Sequence, residues 1–439
     1  MITTPFDVIM RSSSFVRHSD FVIHHFTAAV LALCFLLQSS SAADWPQFLG
    51  LQRNGVADES EVAITKSFPS SGAEVLWRKP LGTGFAGPVV ADGKVIVCHR
   101  IGDEVNIEAL DASSGKELWK SSYTTDYRDS FGFDNGPRAC PTVVDGKVLV
   151  HGAEGMVTAL DLKSGRKLWS YDTVKELKSP QGFFGRASAP TAVFGNRVVI
   201  SAGGSNAAGA AGLIALNLED GKPAWQFVED EASYASTVYR VKEKFPALIA
   251  WMRNDLVVCD ASDGSIKFKE HLRPEMEASV SAATPIWCGE DKLFLSACYG
   301  VGASLWKWDS SGRLTKQWSK EDALDCHYST PVYANGHLFG FHGRQEQGQT
   351  LRCIHAEDGK VMWESERVHG GTVLLVKDTL VVLTESGELW LVEANADKFH
   401  QLATAQILRA GHRSYPAFSN GVLFARDGKE MVAVDLKAK

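Results

Sequence analysis

Apolar positions in this chain come in short runs separated by turn residues, and the same run-and-turn pattern returns along its length. The clearest unit opens with Pro88-Val89-Val90, turns at Asp92-Gly93 and continues as a Val/Ile-rich run over 94–98. A variable loop follows, then a run over 107–111 that ends on Asp, a Gly turn, and a run over 116–119 that ends on Trp. Runs of this length bounded by Gly, Asn and Asp predict strands. Asp-Gly between two apolar runs predicts a hairpin, because Gly accepts positive φ. Four short antiparallel strands make one propeller blade.

The closing stretch Ala109-Leu110-Asp111-Ala112-Ser113-Ser114-Gly115-Lys116-Glu117-Leu118-Trp119 returns as Ala159-Leu160-Asp161-Leu162-Lys163-Ser164-Gly165-Arg166-Lys167-Leu168-Trp169. A looser copy runs from Ala215 through Gly221 to Trp225. Self-similarity at roughly 40–50 residues points to a propeller or solenoid. Eight copies are marked by turns at Asp92-Gly93, Asp145-Gly146, Gly195-Asn196, Glu243-Lys244, Gly289-Glu290, Asn335-Gly336, Lys377-Asp378 and Asn420-Gly421. The closing aromatics are Trp119, Trp169, Trp225, Phe268, Trp318, Trp363 and Phe399. The eighth copy runs out before its fourth strand, and Glu74-Val75-Leu76-Trp77-Arg78 is predicted to supply it. Closure by an N-terminal strand leaves no long open edge. The expected fold is therefore all-β: an eight-bladed propeller of four-stranded antiparallel blades over residues 74–439. Residues 44–73 are a leader, packed outside the ring or across one face. Each closing Trp is expected to pack on the next blade's Gly turn.

Composition adds the address. Arg11 and Arg17 precede an apolar run over 26–37, and Ser39-Ser40-Ser41-Ala42-Ala43 follows. This is the order of a cleavable secretory signal over residues 1–43. It predicts a periplasmic or secreted protein with no transmembrane segment after cleavage. The net charge of −7 argues against a nucleic-acid partner. Seven cysteines follow the predicted cleavage point, an odd number with no C-x-x-C pair, so they read as buried small hydrophobes.

The A-L-D-x-x-[ST]-G-K-x-L-W repeats resemble the pyrroloquinoline-quinone (PQQ) type, or quinoprotein alcohol dehydrogenase-like, propellers. The resemblance covers nearly all of the chain after residue 43. It implies an eight-bladed ring, and in the dehydrogenases of the family PQQ and calcium on its axis. The same repeat builds non-catalytic proteins, including the outer-membrane assembly lipoprotein of Gram-negative bacteria. The start Asp44-Trp45-Pro46-Gln47-Phe48-Leu49-Gly50 is similar to that of many secreted bacterial members of undefined activity. The chain departs from the dehydrogenases in having no adjacent cysteines and no C-x-x-C-H haem segment. No residue matches the family's Glu, Asn and Asp calcium set, so no catalytic residue is carried over. No cofactor is expected. The alternative is a PQQ- and calcium-dependent oxidoreductase of alcohols or sugars.

In such rings the segments before each first strand crowd one face around the axis. Here they read Gly136-Pro137-Arg138-Ala139, Phe183-Phe184-Gly185-Arg186-Ala187-Ser188, Cys326-His327-Tyr328-Ser329, Val368-His369-Gly370-Gly371 and Gly411-His412-Arg413-Ser414-Tyr415. His342-Gly343-Arg344 follows a second strand and reaches toward the same face. Arg138, Arg186, His327, His342, Arg344, His369, His412 and Arg413 are the candidate ligand-binding residues. Arg offers a planar fork suited to carboxylate or phosphate, so a locally positive pocket for a small anionic or polar ligand is expected. Two other readings stay open: a histidine metal site, for which no pair has a dedicated spacing, and a wet channel in which these groups satisfy backbone and carboxylates. No metal ligand is assigned. A binding or assembly module with a protein partner or a small polar ligand is the expected function. The insertion over 126–135 is either a partner surface or a lid. The Gly/Ala-rich stretch over 203–212 is expected to be a flexible blade loop.

Overall fold

The computed structural model describes residues 44–439 apart from Glu59, Lys244, His412 and Lys439. The predicted signal segment and Lys244 of the fourth turn lie outside the described residues. Eight four-stranded antiparallel sheets follow one another along the chain. Seven are built in sequence order. The eighth combines Ala417–Ser419, Val422–Arg426 and Glu430–Asp435 with Glu74–Pro80, which pairs antiparallel to Glu430–Asp435. The fold is thus an eight-bladed propeller closed by an N-terminal strand. Among the described residues helix is confined to Thr173–Leu177, capped by Asp172, and a short 3₁₀ turn at Gln345–Gln347. Among the described residues no helix is long and apolar enough to cross a membrane. All seven described cysteines are buried, with no disulfide among them.

Neighbouring blades are clasped at the rim by a repeated contact. The indole N–H of Trp119 donates to the Leu162 carbonyl at 2.9 Å, that of Trp169 to Leu218 at 2.8 Å, and that of Trp225 to Ala261 at 3.1 Å. Trp77, Trp318 and Trp363 do the same to Ala112, Ala356 and Asn395. The ring faces the Gly of the next blade's turn. A Cβ on Gly115, whose φ is +68°, would fall 2.7 Å from the Trp77 ring, so both the backbone conformation and the space require glycine there.

Two blades break the pattern. Phe268 carries no N–H and sets its ring on Trp306, at 6.2 Å and 70°. In blade seven the residue in register with the other closing aromatics is Ala403, opposite Leu391. Phe399 precedes the strand and stacks on Trp363 instead, at 5.6 Å. The clasp position lies four residues beyond Phe399, inside the strand Gln401–Gln406. The carbonyl that a blade-seven indole would reach is Leu436, and it accepts from the Thr65 N–H at 2.7 Å. Ile64 is buried beside it and pairs with Lys437. Glu61 caps the Asn420 and Gly421 N–H groups at 2.7 and 3.1 Å. The leader therefore fills the clasp position at the closing seam.

The first part of the leader lies in the channel, against the free inner edges of the first strands. Trp45 pairs with Val90, the Val143 N–H donates to Pro46 at 2.7 Å, and Ala57 and Gly55 bond Leu375 of blade seven at 2.8 Å each. Buried Arg53 donates to Thr142 and to the Pro190 carbonyl. The stretch over 203–212 is not a loose loop. It extends the strands Arg197–Asn206 and Gly209–Asn217 into one long hairpin, with an irregularity between Ser201 and Gly204.

Two outcomes follow from the ring contacts. Trp169→Ala is expected to destabilise the protein by about 3–5 kcal/mol, because it removes a buried indole and leaves the Leu218 carbonyl unpaired. Deleting Glu74–Pro80 is expected to abolish the cooperative thermal transition. A circular-dichroism melt with an unchanged midpoint in either variant contradicts the clasp or the closure.

Candidate functional site

A belt of hydrogen bonds fixes the segments before the first strands. The Ala189 N–H donates to Ser236 Oγ at 3.0 Å, Ser236 N–H to Thr284 Oγ1 at 3.1 Å, and Thr284 N–H to Thr330 Oγ1 at 2.9 Å. Thr330 N–H continues to the Tyr415 hydroxyl, and Gly87 N–H reaches Cys140 Sγ at 3.2 Å. Above this belt lies a cavity of about 220 Å³. Phe48 from the leader, Phe85, Phe133 and Phe184 contribute rings, as do Tyr234, Tyr299, Tyr328 and Tyr415. Its charged and titratable walls are Arg138, His327, Glu346 and Arg413.

The insertion over 126–135 is a built lid. Asp129, buried, accepts from the N–H groups of Phe131, Phe133 and Asp134 at 2.8–3.1 Å and from Arg138 at 2.9 Å. Arg100 holds the base of the lid through the carbonyls of Tyr127, Thr125 and Asn135. The lid presents Phe131 and Phe133, 55% and 58% exposed, beside Phe183 and Phe184.

The cavity's cations are each matched. Arg138 pairs with Asp129 at 2.9 Å and lies over Phe85 and Phe184 at 5.1 and 5.6 Å. Arg413 pairs with Glu385 at 3.2 Å and lies near Phe85, Phe133 and Tyr328. Arg344 pairs with Glu346 at 3.4 Å and lies over Tyr299 at 4.8 Å. Three guanidinium groups face three carboxylates, so the expected positive pocket is compensated. His327 Nε2 meets the Tyr299 hydroxyl at 2.7 Å, while its Nδ1 is buried without a partner. Burial lowers His327 to about 4, leaving it neutral.

Of the eight predicted residues, Arg138, His327 and Arg413 line one cavity, and Arg344 supports its wall. The others stand apart. Arg186 is buried and donates to the carbonyls of Ser179 at 2.8 Å and of Ala153 and Glu154, so it satisfies backbone. His342 Nδ1 accepts from the Asp325 N–H at 3.0 Å and pins the segment that carries His327. His369 is exposed in a two-residue connection, too short to reach over the axis. His412 lies outside the described residues.

The sequence matches the family model described as outer membrane protein assembly factor BamB, over residues 64–312 and again over 299–438. The chain belongs to this family. Among solved structures it is similar to BamB from Moraxella catarrhalis, with 12% identity, a TM-score of 0.60 and coverage of 83% of this chain and 99% of that one. It is also similar to the quinohemoprotein alcohol dehydrogenase from Comamonas testosteroni, with 13% identity, a TM-score of 0.62 and coverage of 92% and 82%. The computationally designed Ika8 protein matches at 14% identity and a TM-score of 0.51, covering 83% of this chain and all of that one. At these identities the likeness is one of fold. No curated protein matches the sequence.

The residues of this BamB-family cavity do not fit PQQ with calcium. Calcium takes six to eight oxygen ligands. Among the described residues the cavity wall offers one carboxylate, Glu346, already paired with Arg344. No group of three or more His, Cys, Asp or Glu among them is placed to hold a metal ion. The compensated arginines also leave no excess positive charge for an anionic quinone.

Sequence reasoning missed Phe48 of the leader, Phe85 and Tyr234, which precede the first strands of their blades, and Tyr299 and Glu346, which lie in loops after second strands. It also missed the partner carboxylates. Asp129 carried a signal, since an Asp two residues before a Phe-Gly turn is suited to capping it.

Arg186→Ala is expected to lower stability by about 2–4 kcal/mol by leaving buried carbonyls unpaired, whereas Arg413→Ala leaves the melt nearly unchanged. Equal midpoints for the two variants contradict this division. The pH dependence has two opposing parts. Burial lowers His327 and His342 to about 4, so their contribution to stability is complete above about 6.5 and is lost as pH falls toward 4. Burial pushes Asp325 up to about 7, so its proton favours the folded state at low pH, and that contribution is lost as pH rises from about 4 to 7. Asp325→Asn is therefore expected to raise the midpoint at pH 8 and not at pH 4. A midpoint at pH 8 no higher than that of the unaltered protein contradicts the assignment.

Proposed function

We propose that the protein is exported by a signal over residues 1–43 and acts in the periplasm or outside the cell as a non-catalytic binding module. Its recognition site is the axial cavity with the aromatic rim above it. One observation carries this reading: the cavity is organised by a lid whose acidic cap, Asp129, is committed to Arg138 and to backbone N–H groups. Such a site presents surfaces and fixed hydrogen-bonding groups, and the carboxylates at it are each paired with an arginine. The description of the matched family as an assembly factor supports a protein partner, for which exposed Phe131, Phe133 and Met276 at the rim are suitable anchors. The net charge of −7 disfavours nucleic acid.

A quinoprotein-type oxidoreductase is the second reading. It is favoured by the fold match to a quinohemoprotein alcohol dehydrogenase over 92% of this chain. Dye reduction by the purified exported protein with PQQ, calcium and an alcohol or sugar separates the two. No saturable turnover is expected, and turnover that requires both PQQ and calcium overturns the binding-module reading. N-terminal sequencing of the same sample is expected to begin at Asp44. An intact Met1 on a membrane-bound product contradicts the export reading.

A further inference from the structure

We infer that the axial cavity binds a small, planar, uncharged aromatic molecule. This rests on the cavity being the recognition site and names the ligand class.

Size comes first. An apolar cavity of about 150 Å³ takes a benzene. At about 220 Å³, this one suits a substituted ring or a fused pair of rings. Shape comes next. Arg138 lies over Phe85 and Phe184, so flat groups already pack on one another in the wall. A planar ligand extends such a stack in the offset arrangement that rings prefer.

Charge excludes anions as the preferred class. A carboxylate ligand would compete with Asp129 for Arg138 or with Glu385 for Arg413, whose charges are already matched. Asp129 is fully buried and also caps the lid, so its displacement dismantles the wall. A polyol is excluded on different grounds. It needs a hydrogen-bond partner for each hydroxyl, yet the tyrosine hydroxyls of the wall are already engaged. Tyr328 donates to Glu385 at 2.6 Å, Tyr299 meets His327, and Tyr234 accepts from the Phe183 and Phe184 N–H groups. These residues offer ring faces.

His327 Nδ1 and Arg138 Nε, buried without a partner, have no surface open to the cavity, so the fit of a ligand is set by the ring faces of the wall.

Calorimetric titration of the exported protein with 4-hydroxybenzamide, benzoate, toluene and glucose tests the class. Saturable one-to-one binding of 4-hydroxybenzamide is expected, with benzoate at least about tenfold weaker and glucose not bound. Toluene is expected to compete with 4-hydroxybenzamide for the same site. Ala282→Trp fills the cavity and is expected to abolish binding. Ala278→Trp, at an exposed position of the same wall, makes the same test if the first variant does not fold. Tighter binding of benzoate or glucose, lost in the tryptophan variants, overturns the ligand class and keeps the site. Binding that ignores the tryptophan variants, or no binding of any probe at millimolar concentration, overturns both.

Discussion

Six of the eight blades of this ring are held to the next by a tryptophan whose indole N–H reaches a backbone carbonyl of the next blade's closing turn, with its face on the glycine of that turn where one is present. The contact joins the two things that a closed ring must fix, the spacing between blades and the fate of buried backbone groups. It recurs at six of the eight junctions. Where the sequence places Ala403 at the clasp position, the leader brings the Thr65 N–H to the waiting Leu436 carbonyl. That exception falls at the junction of blades seven and eight; at the other, between blades four and five, Phe268 sets its ring on Trp306. Leader and clasp are one system. The segment that closes the seam continues from the segment that crosses the channel and puts Phe48 under the cavity.

The axis is organised by the same logic with smaller groups. Ser236, Thr284, Thr330 and Tyr415 each receive an N–H from another blade, which locks the pre-strand segments in place. Arginines complete the backbone accounting. Arg53, Arg186 and Arg426 are buried and donate to carbonyls. The guanidinium groups that do reach the cavity face acidic partners and aromatic rings. The consequence is a mouth that is rich in arginine and yet electrostatically balanced.

The ring was legible in the sequence because turn chemistry is local. Asp-Gly and Asn-Gly pairs and the Gly before each outer strand state where hairpins turn. Phe399 misled because it lies four residues before the clasp position, ahead of its strand, where composition alone does not separate it from a closing aromatic. Arg138, His327 and Arg413 were legible as cavity residues because the repeat fixes their place before a first strand. Arg186 and His342 occupy comparable places and serve the fold, since their direction depends on which neighbouring carbonyl or N–H lacks a partner. His369 fails for want of loop length. The compensation of charge was not legible at all. Glu385 lies 28 residues before Arg413 in another blade, and nothing in spacing joins them.

The central claim is that the cavity is selected by ring faces and fixed polar atoms while its charges cancel. A crystal structure of the exported protein grown with benzoate in excess tests it most directly. The account predicts Asp129 on Arg138 and Glu385 on Arg413, with no benzoate carboxylate on either guanidinium. A benzoate carboxylate on Arg138, with Asp129 displaced and the lid rearranged, would contradict it.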